Sequence, residues 1–405
     1  LLYTVGLTFY DLLAGKLSLG RSKYINKKKV KEHLPTVRFK GLKGGVLYHD
    51  GQFDDSRLAV NLAQTAVEQG AIVANYVKVN AITKDGKGKI DGVQVVDEET
   101  NDVYNIKGRV VINAAGVYVD DLMIMDAPEK KKMVRPSQGV HLVLDKSFLP
   151  GENALMIPKT SDGRVLFAVP WHDKVIVGTT DTLRDHAELE PHALESEIEF
   201  ILETARNYLD KQPTRTEVQS VFAGLRPLAA PQGEGKSTKE ISRNHKIIVS
   251  PSGLVTITGG KWTTYRRMAK DTVDKAIKVV GLQQRGCVTE NLRIHGYHES
   301  IDQHDHLYVY GADIPAIREL IASSPEMAEK LTSKYAYTFS EFICSIRLQF
   351  PRTLSVFFSL LSRFLFSVSL SAFLSSPLSP FAISILLFSV HSSFYPHIYV
   401  FSFFA

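Results

Sequence analysis

Cysteine is almost missing from this chain of 405 residues. The two that occur, Cys287 and Cys344, offer neither a disulfide framework nor the four ligands of a structural zinc site. Charge imbalance is small as well. Of the net +5, three positives are Arg347, Arg352 and Arg363, in a stretch from Phe342 to Ala405 that contains no Lys, Asp or Glu. What remains is too little for a general polyanion-binding surface, so nucleic acid is excluded as a partner. No G-x-G-x-x-G follows a strand pattern anywhere, and no calcium-loop pattern is present. GEGKST at 233–238 resembles a phosphate loop, but the pattern needs a glycine where Ala230 stands, so the segment reads as a surface loop. The opening LLYTVGLTFYDLLAGKLSLG lacks the basic stretch and cleavage pattern of a signal or transit peptide. It reads as an amphipathic helix entered partway through a domain, which puts any targeting sequence upstream.

What is present is an ordinary globular balance, 44% hydrophobic and 22% charged, with length for two or three packed domains. Leu58, Leu62 and Ala66 at four-residue spacing, closed by Gly70, predict a helix over 54–70. AIVANYVKVNAI (71–82), IDGVQVV and RVVINAAG then read as β-rich runs, the last a buried strand over 109–115 that breaks into small residues. HLVL, RVLFAVPW and KVIVGTT, between 141 and 180, predict three further strands. LESEIEFILETARNYLDK returns to helical spacing through Ile198, Ile201, Leu202 and Ala205, and EVQSVFAGLRPL predicts another strand. A sheet interrupting α/β alternation makes the fold class mixed α/β (α+β) with a second, substrate-facing lobe. LVTITGGKWTTYRRMAKDTVDKAIKVVG is a β-branched strand, a Gly-Gly turn and a long helix stopped by Gly281, whose N-terminal amides can hold negative charge. Helical spacing recurs at Ile314, Ile317, Leu320 and Ile321.

After about Glu341 the composition changes abruptly: Ser, Phe and Leu supply 38 of the 64 residues from Phe342 on, and glycine is absent. The window 356–374 is apolar enough to suggest a membrane span, although serines and arginines interrupt it. The rival reading is translated intron or frame-shifted sequence, since Ser, Phe, Leu and Pro share pyrimidine-rich codons; a disordered or aggregation-prone end is the third.

Two clusters read blandly. His295, His298, His304 and His306 match no metal-ligand spacing in their polar surroundings and predict a solvated loop. The lysine runs 27–29 and 130–132 predict solvated faces, with contact to anionic lipid as the alternative. GLRPL (224–228), ISRNH (241–245) and GGKWTTYR (259–266) differ. They set Arg226, Arg243 and Lys261 at strand ends and glycine turns, where planar guanidinium forks and an ammonium can converge on an anionic ligand.

YHDGQFDDSR (48–57), VINAAG (111–116), PSQGVHLVL (136–144), SDGRVLFAVPW (161–171), VGTTDT (177–182), GLRPL, ISRNH and GGKWTTYR resemble, in the same order, the blocks of FAD-dependent, quinone-linked glycerol-3-phosphate dehydrogenases. The resemblance runs from about Tyr3 to Gly281 and more weakly to Thr338. It implies a partial FAD-binding domain of the glutathione-reductase/amino-acid-oxidase type over 1–135, completed by 251–285. It also implies an inserted antiparallel-sheet substrate domain over 136–250, a truncated helical domain over 286–338, and a non-family tail over 339–405. By the same resemblance sn-glycerol 3-phosphate is oxidised to dihydroxyacetone phosphate at FAD, and the electrons pass to ubiquinone at the mitochondrial inner membrane surface, with a homodimer allowed. Arg226 and Arg243 would bind the substrate phosphate. Lys261, Thr263 and Thr264 would face the flavin pyrimidine edge and the substrate hydroxyls. His141 would be the base for the C2 hydroxyl, with a hydrogen-bonding core histidine as the equal alternative. Val77 and Lys78 would meet adenine, and Ala115, Gly116, Gly259 and Gly260 would be close-approach turns for the cofactor. Because the dinucleotide fingerprint is missing, the chain is expected to bind FAD weakly and to turn over little. A related amino-acid or amine oxidase, and a non-catalytic remnant, are the alternatives.

Overall fold

The computed structural model describes residues 2–15, 18–158, 160–229, 244–333, 335–349 and 395–404, with 2–4, 346–349 and 395–404 as backbone only. The chain divides into two units, one from 1–51, 76–290 and 396–405, the other from 52–75 and 291–395.

The larger unit is organised round the strand Val134–Asp145. Every second residue from Val140 onward, with Leu142 and Leu144, is fully buried, and each such side chain contributes about 1.5–3 kcal/mol. Lys174–Gly178 and the short Thr182–Leu183 pair with one edge of this strand, leaving 179–181 as an unpaired link between them. Ser220–Ala229 runs antiparallel along the other edge, from Val143 back to Val134. The sheet continues outward through Leu166–Trp171, Ala154–Ile157, Tyr395–Phe404, Leu42–Gln52 and Lys23–Asn26. Helix Glu195–Tyr208 joins the same core with the predicted residues Ile198, Ile201, Leu202 and Ala205. The expected antiparallel sheet within a mixed α/β chain is therefore present.

Two smaller sheets complete this unit. One is Lys246–Val249, Val255–Thr258 and Ile112–Asn113, the last two parallel. The other is an antiparallel meander of Val77–Lys84, Ile90–Asp97 and Val103–Lys107. Helix Tyr265–Val279 follows the Gly259-Gly260 turn, where both glycines take positive φ (73° and 81°), as the strand, turn and helix pattern predicted.

Three boundaries differ from the sequence reading. The strand expected from Ala71 begins at Val77: residues 71–76 are exposed, and Tyr76 has φ 55°, outside the β region. The strand expected over 109–115 shrinks to Ile112–Asn113, the length over which Val255 and Thr256 lie alongside. Phe339–Gln349 is helical, with Ile343 and Cys344 buried, so packed structure continues past the change in composition. The 356–374 window and the GEGKST loop lie outside the described residues. Among the described residues no helix is long and apolar enough to cross a membrane.

In the smaller unit, helix Asp55–Glu68 is capped by Asp54, whose carboxylate accepts the Arg57 N–H at 2.9 Å. Asn61 Nδ2 donates to the His295 carbonyl at 2.7 Å and Thr65 Oγ1 accepts the His295 N–H at 2.8 Å. The His295 ring lies between Glu68 (2.5 Å) and Asp313 (3.1 Å). Burial opposes its charge, but the two carboxylates together raise its pKa above the ordinary value. His295 thus departs from the expected solvated loop, because Glu68 and Asp313 form a socket that spacing along the chain cannot reveal. His306 departs too, starting the 3-10 helix His306–Asp313 with its Nε2 paired to Glu341 at 2.9 Å, whereas His298 and His304 are exposed; no three-ligand metal cluster exists among the described residues.

Candidate active site

Arg226 sits opposite Ser137 on the paired strands Ser220–Ala229 and Val134–Asp145. Its side chain crosses the sheet above Gly139. A Cβ on Gly139 would lie 2.7 Å from both Cζ and Nη1 of Arg226, so the missing side chain is what lets the guanidinium through. On the far side the guanidinium meets the 179–181 link. Nη2 donates to Thr179 Oγ1 at 3.0 Å, Nη1 donates to the Thr180 carbonyl at 3.1 Å, and Asp181 stands 3.8 Å away. With its side chain 34% exposed, Arg226 combines a fixed orientation with access to solvent.

His141 lies two residues along the same strand from Gly139. Its ring stacks on Phe222 of the neighbouring strand (centroids 5.1 Å, 13° between planes) and fits against Gly178, where a Cβ would come 2.8 Å from Cγ. Burial first, and the positive charge of Arg226 second, push its pKa down to about 4. The imidazole is neutral at physiological pH, and it lies on the same face of the sheet as Arg226.

Beneath the 179–181 link lies a residue that the sequence reading missed. Glu197, on helix Glu195–Tyr208, is 4% exposed and accepts four hydrogen bonds. Oε1 takes the hydroxyls of Thr180 (2.9 Å) and Thr182 (2.6 Å), while Oε2 takes Gln138 Nε2 (2.6 Å) and the Leu194 N–H (3.0 Å). Burial opposes its charge, yet these donors lower its pKa below the ordinary carboxylate value. Ser137 Oγ hydrogen bonds to Asp181 in the same link. In sequence Glu197 looks like any acidic residue in the first turn of a helix. The one usable signal was four hydroxyl or acid side chains in a row at 179–182.

The remaining predicted residues cluster partly. Ala115 precedes the short 3-10 turn Gly116–Tyr118, which packs on the strand of Arg226 and on that of His141. Gly116 has φ 59° with open space where a Cβ would be, Gly224 on the Arg226 strand has open space as well, and Thr258 Oγ1 is buried without a partner. Open space at a glycine lets a ligand approach the backbone closely, and a buried hydroxyl without a partner is a group that a polar ligand could satisfy. A Cβ on Gly259 would lie 2.9 Å from the Asn244 carbonyl oxygen and 3.5 Å from Cβ of Ala229, at the end of the Arg226 strand. Lys261, Thr263 and Thr264 follow, exposed, on the turn that starts helix Tyr265–Val279, where no side chain caps the first amides. Val77 and Lys78 lie on a different sheet, paired with Asp97 and Val96. Arg243 lies outside the described residues.

Against known proteins, residues 6–266 match the family model described as FAD dependent oxidoreductase. The chain is 42% identical over 324 residues to a probable mitochondrial glycerol-3-phosphate dehydrogenase of Caenorhabditis elegans, covering 78% of this chain and 45% of that protein. It is 44% identical over 301 residues to the mitochondrial glycerol-3-phosphate dehydrogenase SDP6 of Arabidopsis thaliana, covering 73% and 47%. The chain therefore spans under half the length of either curated relative. Among solved structures, the glycerol-3-phosphate dehydrogenase of Bacillus halodurans complexed with FAD superposes with a TM-score of 0.61 at 32% identity, covering 80% of this chain and 59% of that one.

Proposed function

The chain belongs to the FAD dependent oxidoreductase family, and on that premise we propose that it carries the substrate site of a glycerol-3-phosphate dehydrogenase. FAD is the cofactor, sn-glycerol 3-phosphate the substrate and dihydroxyacetone phosphate the product. The observation that carries this reading is the Arg226–His141 pair, a fixed guanidinium beside a neutral imidazole on one face of the sheet. The names of the relatives point the same way.

In this reading Arg226 and Arg243 take the substrate phosphate, whose oxygens suit the planar guanidinium fork. An imidazole nitrogen of His141 accepts the proton of the C2 hydroxyl. A base that stays neutral down to about pH 4 is ready for that step. When the phosphate dianion pairs with Arg226, the charge that depresses the proton affinity of His141 is neutralised, so the base strengthens as the substrate arrives. FAD, when bound, supplies the two-electron oxidant for C2. Lys261, Thr263 and Thr264 orient the substrate hydroxyls, and Lys261 with the start of helix Tyr265–Val279 favours negative charge at the flavin pyrimidine edge. Gly116, Gly224 and Thr258 fit a flat polar ring system. Ala115, Gly259 and Gly260 give it close backbone approach, and Val77 and Lys78 meet the adenine. The FAD domain then draws on 1–135 and 251–285, apart from the strands Lys23–Asn26 and Leu42–Gln52, which join the substrate sheet of 136–250, and 286–338 is the start of a helical domain.

The same reading takes ubiquinone as the next electron carrier and the mitochondrial inner membrane as the location. Two further observations support a lipid surface: helix Leu2–Ala14 exposes Phe9, Leu12 and Leu13, and the lysines at 27–29 are exposed. The test is anaerobic titration of the full chain, in excess FAD, with glycerol 3-phosphate, glycerol and glycine. The flavin absorbance should bleach with the phosphate ester alone. Bleaching with glycine and not with glycerol 3-phosphate would transfer the chain to the amine oxidases.

A further inference from the structure

We propose that Glu197 is a positioning residue for Arg226 and His141, acting through residues 180–182 and the backbone beside Gly139 without touching a ligand. The proposal rests on the reading of those two residues given above. A helix start can be capped by a serine or aspartate at the solvent edge, without burying a charge. Here the carboxylate is 4% exposed, a position that is costly for an ion unless every oxygen lone pair is used. Four donors do use them, and three of the four lead to the candidate site.

Thr180 is the first link. Its hydroxyl donates to Glu197 at 2.9 Å and also accepts the Val140 N–H at 3.0 Å, which fixes the backbone next to His141. The carbonyl of the same residue accepts Arg226 Nη1. Thr182 is the second link, holding the far side of Asp181, the carboxylate that faces Arg226. Gln138 is the third, tied to Glu197 at 2.6 Å and to the His192 carbonyl at 3.0 Å. Gln138 and Val140 are the two neighbours of Gly139, over which the guanidinium lies, so both shoulders of that crossing are tied to one carboxylate. A glutamine at 197 cannot reproduce this, because its amide has one acceptor oxygen and a donor group where four donors converge.

The rival account is that Glu197 only caps helix Glu195–Tyr208. A rescue separates the two. Glu197→Gln, Glu197→Ala and the double variant Leu194→Ser/Glu197→Ala, which returns a serine cap to the helix, are compared with wild type and with Glu199→Gln, an exposed acid on the same helix. Each full chain is measured three ways: calorimetric affinity for glycerol 3-phosphate, denaturant unfolding, and NMR titration of the His141 ring. Glu197→Gln should bind the phosphate ester about tenfold more weakly, the loss expected when one charged hydrogen bond is misplaced. The double variant should regain stability without regaining affinity, and His141 should titrate above its wild-type midpoint as Arg226 drifts from the ring. Glu199→Gln should match wild type in binding and titration. Wild-type affinity in Glu197→Gln, or its return in the double variant, overturns the proposal. If Glu197→Ala does not fold, Glu197→Gln alone decides. If wild type binds no glycerol 3-phosphate, the substrate reading fails separately, and the His141 titration still judges the positioning role: a moved midpoint upholds it and an unmoved one overturns it.

Discussion

Substituting Gly139 by alanine should separate folding from ligand capture. The new methyl would sit closest to Arg226 Nη2 and 2.7 Å from its Cζ and Nη1, against the 3.4–4 Å of ordinary contact, so the guanidinium must retreat by more than about an ångström. What yields is the far end of a flexible, partly exposed side chain, and no backbone atom is among the three nearest neighbours. The retreat breaks or stretches the hydrogen bonds to Thr179 Oγ1 and the Thr180 carbonyl. Water replaces part of what is lost, so unfolding stability should fall by only about 1 kcal/mol. Ligand capture has no such replacement: an ångström of misplacement at a charge that orients the reacting group costs on the order of 10- to 100-fold. Denaturant titration and calorimetry with glycerol 3-phosphate on one preparation give both quantities. A folded Gly139→Ala chain with unchanged affinity would refute the placement of Arg226 over Gly139 as the basis of binding, and so would a chain that does not fold.

Two further outcomes follow from the same core. Leu202→Ala, a fully buried side chain on the helix that carries Glu197, should lower unfolding stability by about 2–5 kcal/mol in a denaturant titration. His141 has a folded pKa pushed down to about 4 from 6.5, so between those values the unfolded chain holds a proton that the folded chain refuses. The stability this group lends is complete above pH 6.5 and is lost as pH falls toward 4, by up to about 1.4 kcal/mol per pH unit. His141→Gln should flatten that part of the stability profile, and an unchanged slope would show that the histidine is not buried beside a cation.

Signals confined to neighbouring residues were legible in the sequence. Asp54 ahead of a four-residue apolar repeat gave a helix start that the structure matches, and Thr258-Gly259-Gly260 gave the strand, turn and helix. Where a strand depends on a partner far along the chain, composition over-reached: 71–76 is β-rich yet exposed, and 109–115 keeps only the two residues that Val255 and Thr256 accompany. The site divides the same way. Arg226 and His141 stood out by residue type and by resemblance, whereas their support did not. That Gly139 is a passage for a guanidinium, or that Glu197 is buried under the link near 180, depends on which strands pair, and no spacing records it.

On this assignment Arg226 reads a phosphate beside His141. Calorimetric titration of wild type and Arg226→Met with glycerol 3-phosphate and with glycerol tests it most directly. Wild type should prefer the phosphate ester, and Arg226→Met should lose about 10- to 100-fold of that preference, the worth of a charged hydrogen-bonded contact. Equal affinity of both proteins for the phosphate ester would contradict it.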